Sequence, residues 1–345
     1  MNVVSFNIGS YHDWKNLVAR DVLMKTDGTC KMEPRDDPNY LEKFRAKIFE
    51  ETKQITKEDV YSAHDRAVND FLNRLLSATK PAFVCLQEYF YEDPYSSIRD
   101  RLHEHGYEIL GANGLGIAYK MDSFEIQNNP IFSFDPEKFM DMELSLRSSL
   151  YCDFKERSTG RTYRVVTDHV KGFNGKDKKS QSKEHVDMPR KYEERMQFHA
   201  DRRKRSVAVS GDLSLDMGLA GVDLPTKGLA SSFLRASRLS KAPVVIYALD
   251  ANAAAKHTEE RLHPKRLRLF DLWGYKGDRE AKQPTIIDAN DFIPRKYDYI
   301  FAKSSADVKI VELHLPELND PELLNTPGRL MSDHLPVIAR VEIPK

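Results

Sequence analysis

Phe83-Val84-Cys85-Leu86-Gln87-Glu88 is a run of four apolar residues that turns abruptly polar. A run this short, set off by Lys80-Pro81 just before it, reads as a buried strand. Its polar end carries the interest, because strands deliver their last side chains to one rim of a sheet, where open sheets commonly place sites. The same construction recurs in both directions along the chain. Val3 to Ile8 is short, apolar and β-branched at its start, with Asn7 at its close. Arg164-Val165-Val166 ends on Thr167-Asp168-His169, and Val244-Val245-Ile246-Tyr247-Ala248-Leu249 ends on Asp250-Ala251-Asn252. Asp298 begins Tyr299-Ile300-Phe301, and Ser332-Asp333-His334 precedes Leu335-Pro336-Val337-Ile338.

Helical patterns lie between these strands. Asp37-Pro38 opens one, with Leu41, Phe44, Ile48 and Phe49 on one side. Thr56, followed by Asp59, starts a second, whose stripe of Val60, His64, Ala67, Phe71, Leu75 and Leu76 is stopped by Lys80-Pro81. A third covers Ser97 to His105, with Gly106 as its C-terminal cap. Further strands are expected at Tyr107–Leu110, Gly116–Tyr119, Ser148–Phe154, Pro243–Leu249, Tyr297–Phe301, Val308–Leu313 and Leu335–Val341. A helix-prone stretch runs from Leu213 toward Leu239. Strands interleaved with helices give an α/β or α+β sheet architecture.

Composition narrows the classes. At 345 residues the chain is long enough for a large core, and the apolar share of 40% is that of a globular protein. No apolar run approaches the roughly twenty residues a bilayer requires, so no integral membrane segment is expected. No cleavable signal is seen at the N-terminus, which with three unpaired-looking cysteines fits an intracellular, reducing setting; export without such a signal and nuclear entry stay open. Lys plus Arg and Asp plus Glu both total 53, so the whole molecule offers no electrostatic case for nucleic acid. Residues 174–205 are locally basic.

Asn7, Glu88, Asp250, Asn252 and Asp333 offer hard oxygen ligands of the kind Mg²⁺ takes up. His169 and His334 are suited to moving protons near neutral pH, and Asp298 to orienting a histidine through its other ring N–H. Carboxylates with a metal and two imidazoles suit attack of water on phosphorus.

The ordered series Ser5-Phe6-Asn7-Ile8, Leu86-Gln87-Glu88, Gly116-Ile117-Ala118-Tyr119, Thr167-Asp168-His169-Val170, Asp250-Ala251-Asn252, Tyr297-Asp298-Tyr299-Ile300 and Ser332-Asp333-His334-Leu335-Pro336-Val337 resembles the endonuclease/exonuclease/phosphatase superfamily. The resemblance covers nearly the whole chain. It implies one domain over residues 1–345, a four-layer sandwich of two mixed β-sheets face to face with helices outside, and insertions around 10–80 and 174–242. It implies that Asn7 and Glu88 hold Mg²⁺ (with Mn²⁺ as a substitute), with Asp333 nearby. The resemblance further implies that Asp250 and Asn252 position the attacking water and the phosphate, and that Lys171 joins Asn252 at the substrate. It implies His334, paired with Asp298, as the general base, with Asp250 as the alternative acceptor of the proton, and His169 as stabilising the transition state or the leaving oxygen. Two positions depart from the family's pattern: Leu249 stands where a Gly is usual, and Asp168 where Thr or Ser is usual. The first is expected to narrow the site and the second to place a negative charge near the phosphate.

The expected activity is Mg²⁺-dependent hydrolysis of phosphate esters, of the phosphodiesterase or nuclease kind, with nucleic acid as the favoured substrate partner. A phosphoinositide or phospholipid phosphoesterase is the rival within the class. A catalytically inactive binding module on the same fold is the rival outside it. Oligomeric state is not legible in the sequence.

Overall fold

In the computed structural model, the described residues are 1–9, 56–89, 96–112, 114–128, 130–134, 148–169, 242–250, 274–278, 285–287, 294–313, 332 and 334–344. The expected helix after Asp37-Pro38, the basic segment 174–205 and the helix-prone stretch after Leu213 lie outside them.

The strands in chain order are β1 (Asn2–Asn7), β2 (Phe83–Tyr89), β3 (Tyr107–Ala112), β4 (Gly114–Lys120), β5 (Phe124–Ile126), β6 (Ile131–Phe134), β7 (Ser148–Glu156), β8 (Thr162–His169), β9 (Val244–Asp250), β10 (Ile286–Ile287), β11 (Pro294–Arg295), β12 (Asp298–Ser304), β13 (Lys309–Glu312) and β14 (Val337–Glu342). They form two six-stranded sheets and a small ribbon. The first sheet has the order β13-β14-β1-β2-β4-β3; the second runs β12-β9-β8-β7-β5, with β6 also on β7; β10 pairs β11. Each large sheet is mixed. β1 and β2 are parallel in the first and β8 and β9 in the second, and the remaining pairings are antiparallel.

Alternation along the strands explains the layers. Val3, Phe83, Cys85 and Ile117 of the first sheet meet Cys152, Phe154, Val165, Ile246 and Ile300 of the second in one buried cluster between the sheets. Phe83 is wedged there between Phe124 and Phe154, at ring-centroid distances of 4.6 and 5.1 Å. The alternate residues Val4, Phe6, Val84 and Leu86 face the other way, onto helix α1 (Lys57–Thr79) and helix α2 (Ser96–Glu104). The α1 stripe read from the sequence is what packs: Ala67, Phe71, Leu75 and Leu76 are buried, and Phe71 meets Phe6 edge-on at 5.3 Å. Lys80 closes α1 in a left-handed conformation (φ 42°) before Pro81, and Gly106 (φ 79°) closes α2, its N–H donating to the His103 carbonyl. His103 and His105 pair with Glu108 and Asn73 at the exposed end of α2, as expected of a solvated helix terminus.

The architecture is thus the expected α/β sandwich of two mixed sheets, with helices on the outer face of the first. No helix among the described residues is long and apolar enough to cross a membrane.

Candidate active site

The topology gathers one rim. β1 and β2 are parallel, so their C-terminal ends, with Asn7 and Glu88, lie side by side. β14 is antiparallel to β1, which brings His334, just before β14, to the same end. In the second sheet the parallel strands β8 and β9 end together on His169 and Asp250, which are register partners. β12 runs against β9, and its first residue, Asp298, partners Asp250. Six chemically active side chains therefore reach one spot from two sheets.

Asp250 lies at the centre, fully buried. Its Oδ2 accepts from Asn7 Nδ2 at 2.9 Å and stands 3.4 Å from His169 Nε2 and 3.8 Å from His334 Nε2. Glu88 Oε1 lies 3.3 Å from the same Asn7 Nδ2 and 3.9 Å from His169 Nε2. His334 Nδ1 and Asp298 Oδ2 are 2.8 Å apart. Both histidines are buried, and Asp298 is wholly so. Asp298 Oδ1 has no hydrogen-bond partner among the described residues.

Glu88 reaches the site by an irregularity. Strict alternation along β2 sends Phe83, Cys85 and Gln87 inward and Val84, Leu86 and Glu88 toward the helices. The pairing with β4 slips between Gln87 and Tyr89, one extra residue opposing the partner strand, and Glu88 adopts φ 58°. The bulge resets the phase. Tyr89 takes the place in the helical layer, and Glu88 turns to the rim. Gly116 makes room for the change, since a Cβ there would sit 2.9 Å from Tyr89 Cδ1.

Beneath the rim, the Gln87 amide bridges the two sheets, donating to Thr167 Oγ1 at 2.9 Å and lying 3.2 Å from Ser5 Oγ. Ser332 Oγ donates to the Asn7 carbonyl at 2.8 Å and accepts from the His334 N–H at 3.0 Å, tying the end of β1 to the histidine. Thr285 Oγ1 accepts from the backbone N–H groups of Tyr297 and Asp298. The sequence motifs contain Ser5, Gln87, Thr167 and Ser332 without giving them a role, and they do not include Thr285. Only their positions, one or two residues from a site residue in the Gln87, Thr167 and Ser332 cases, mark them.

Asn7, Glu88, His169, Asp250, Asp298 and His334 are thus brought together, while Asn252, Asp333 and Lys171 lie outside the described residues. The two departures from the family pattern require correction. Thr167 points between the sheets, so Asp168 points to the opposite face, where its Oδ2 accepts from the Tyr247 hydroxyl. Ala248 is in the inter-sheet core, and Leu249, the register partner of Asp168, turns outward with it. Leu249 therefore does not narrow the site, and Asp168 does not bring its charge to it.

A hard cation suits the residues present. Asp250, Asp298 and His334 offer ligand atoms within 4.8 Å of one another. Glu88 and Asp250 crowd the same amide, and close carboxylates repel unless a positive charge lies between them. Carboxylate and amide oxygens gathered in this way could hold a divalent cation. Asn7 turns its NH₂ to the carboxylates while its Oδ1 accepts from the Gly9 N–H.

Neither a family model nor a curated protein sequence matches this chain. Solved structures do. An endonuclease/exonuclease/phosphatase family protein from Leptotrichia buccalis superposes with a TM-score of 0.51 at 10% identity, covering 99% of this chain and 100% of that one. The 2′,3′-cyclic phosphatase ANGEL2, in complex with adenosine-2′,3′-vanadate, gives 0.51 at 14% identity, covering 99% and 95%. Humanized D. rerio TDP2 gives 0.50 at 14%, covering 99% and 98%. The chain has the endonuclease/exonuclease/phosphatase fold.

Proposed function

We propose that this protein is a divalent-metal-dependent hydrolase of phosphate esters, acting on phosphodiesters, with nucleic acid first among its substrates. The observation that carries the proposal is the convergence of Asn7, Glu88, His169, Asp250, Asp298 and His334 from both sheets onto one buried rim. Glu88 and Asn7 would hold the metal, with Asp333 as a further ligand. When bound, Mg²⁺, or Mn²⁺ in its place, would neutralise charge developing on the phosphoryl oxygens.

The chain's own groups divide the rest of the work. Asp298 Oδ2 accepts from His334 Nδ1–H, which fixes the tautomer and leaves Nε2 as the basic atom. That atom faces Asp250, so a water held by Asp250 lies within its reach as general base. Asn252 joins Asp250 in placing the phosphate, with Lys171 beside it. His169 Nε2, directed at Asp250 and Glu88, is set to donate to the crowded oxygens of the pentavalent transition state. Leu249 and Asp168, the two departures from the family's pattern, face away from the rim, so neither supports a non-catalytic binding module. ANGEL2, which shares the fold, is described as a 2′,3′-cyclic phosphatase, and that agrees with diester chemistry.

The test is a metal titration of the full chain with bis(p-nitrophenyl) phosphate, comparing wild type with Glu88→Gln. The expected result is turnover that EDTA abolishes and Mg²⁺ restores, with the variant losing at least about a hundredfold in rate. Single-stranded DNA, duplex DNA, RNA, inositol phosphates and sphingomyelin then rank the substrates. Absence of turnover on every ester would overturn the proposal.

A further inference from the structure

The departure from the family pattern at Asp168 places a carboxylate in an unfavourable location. Asp168 is 3% exposed, and it accepts from the fully buried Tyr247 hydroxyl at 2.5 Å. A buried carboxylate is tolerated when it is hydrogen-bonded, so the contact is built into the fold. Its position gives it a consequence. Tyr247 partners Val166 and Asp168 partners Leu249, so the bond runs diagonally across the last rungs of the parallel β8–β9 ladder. The last rung among the described residues is His169 with Asp250, on the opposite face, where His169 Nε2 and Asp250 Oδ2 stand 3.4 Å apart. Terminal rungs of a ladder open most easily. Leu249, fully buried, lies in register beside Asp168 on that outer face.

We propose that Asp168 and Tyr247 are positioning residues: their hydrogen bond fixes the ends of β8 and β9 and thereby sets His169 against Asp250. The expected effect on rate rests on the phosphoesterase reading above; the effect on geometry does not. A small displacement of a reacting group is enough to lower a rate steeply.

Tyr247→Phe removes only the hydroxyl, and Asp168→Asn keeps an acceptor for it. Both are made in the full chain and measured in two ways: kcat and KM for bis(p-nitrophenyl) phosphate with Mg²⁺, and the ring ¹H–¹⁵N resonances of His169 and His334 in EDTA. In Tyr247→Phe, kcat is expected to fall about tenfold with KM within about twofold. The His169 ring resonances move and those of His334 stay, while Asp168→Asn holds kcat within about threefold of wild type. Unchanged His169 resonances in folded Tyr247→Phe would overturn the proposal, as would a loss of kcat in Asp168→Asn equal to that in Tyr247→Phe. Should Tyr247→Phe not fold, Asp168→Ala, which removes the acceptor, takes its place: displaced His169 ring resonances support positioning, and unaltered ones in the folded variant overturn it. If wild type turns over no ester, the phosphoesterase reading fails while the His169 resonances still decide the positioning.

Discussion

Replacing Glu88 by glycine should leave the protein more stable than replacing it by alanine, the reverse of the usual order in a strand. At an ordinary strand position Ala exceeds Gly by roughly 0.5–1 kcal/mol, because Gly loses more backbone freedom on folding. Glu88 has φ 58°, where an L-residue with a Cβ carries a penalty of about 1–2 kcal/mol and Gly carries none. The relief outweighs the entropy, leaving Gly favoured by about 0.5–1 kcal/mol. Both variants lack the carboxylate, so the loss of charge beside Asp250 cancels between them, as does any effect of metal. The measurement is urea unfolding of both proteins in EDTA, with equal m-values as the sign that only stability has changed. An alanine variant as stable as the glycine variant, or more so, would show that the left-handed turn and its bulge are not features of the folded protein. The strain would then have no part in aiming this side chain.

Other consequences are simpler. Gln87→Leu strands the buried hydroxyls of Ser5 and Thr167 and should cost about 1–3 kcal/mol in chemical denaturation; a neutral change would show that the amide bridge holds nothing. Asp298→Asn keeps the shape but presents His334 with a neutral partner that no longer fixes its tautomer, so kcat should fall about a hundredfold or more with KM little changed; equal loss in both would point to substrate binding instead. Burial holds the Cys85 thiol well above its ordinary range, and chiefly burial pushes Cys152 up to about 12. At pH 8 only about one part in ten thousand of Cys152 would be thiolate, so peptide mapping after iodoacetamide should find both residues unlabelled in the native protein and labelled after denaturation.

Much of the fold was legible because its strands are long and end in polar residues. Val244–Asp250 lies one residue along from the expected Pro243–Leu249, and Asp298–Ser304 starts one residue after the expected Tyr297 and runs three beyond Phe301. Phe124–Ile126, Ile286–Ile287 and Pro294–Arg295 were not foreseen, since two or three residues are too few to display an alternation. Six site residues read from strand ends do meet, because topology rather than sequence proximity collects them. The path of Glu88 was not legible. Its neighbours in β2 obey a period of two, and only the pairing with β4 reveals the extra residue that breaks it. The error over Asp168 and Leu249 had a different origin. Each precedes a site residue directly, and along a strand the adjacent side chain points the other way. Counting back in twos from His169 and Asp250 leads to Thr167 and Ala248, which do face between the sheets.

Hydrolysis of bis(p-nitrophenyl) phosphate by wild type and by His334→Ala, both verified as folded by their melting curves, tests whether this rim is a catalytic centre. Wild type should release p-nitrophenol with Mg²⁺ and stop in EDTA, and His334→Ala should retain less than about 1% of that rate. A folded His334→Ala protein that hydrolyses the diester at the wild-type rate would contradict the assignment.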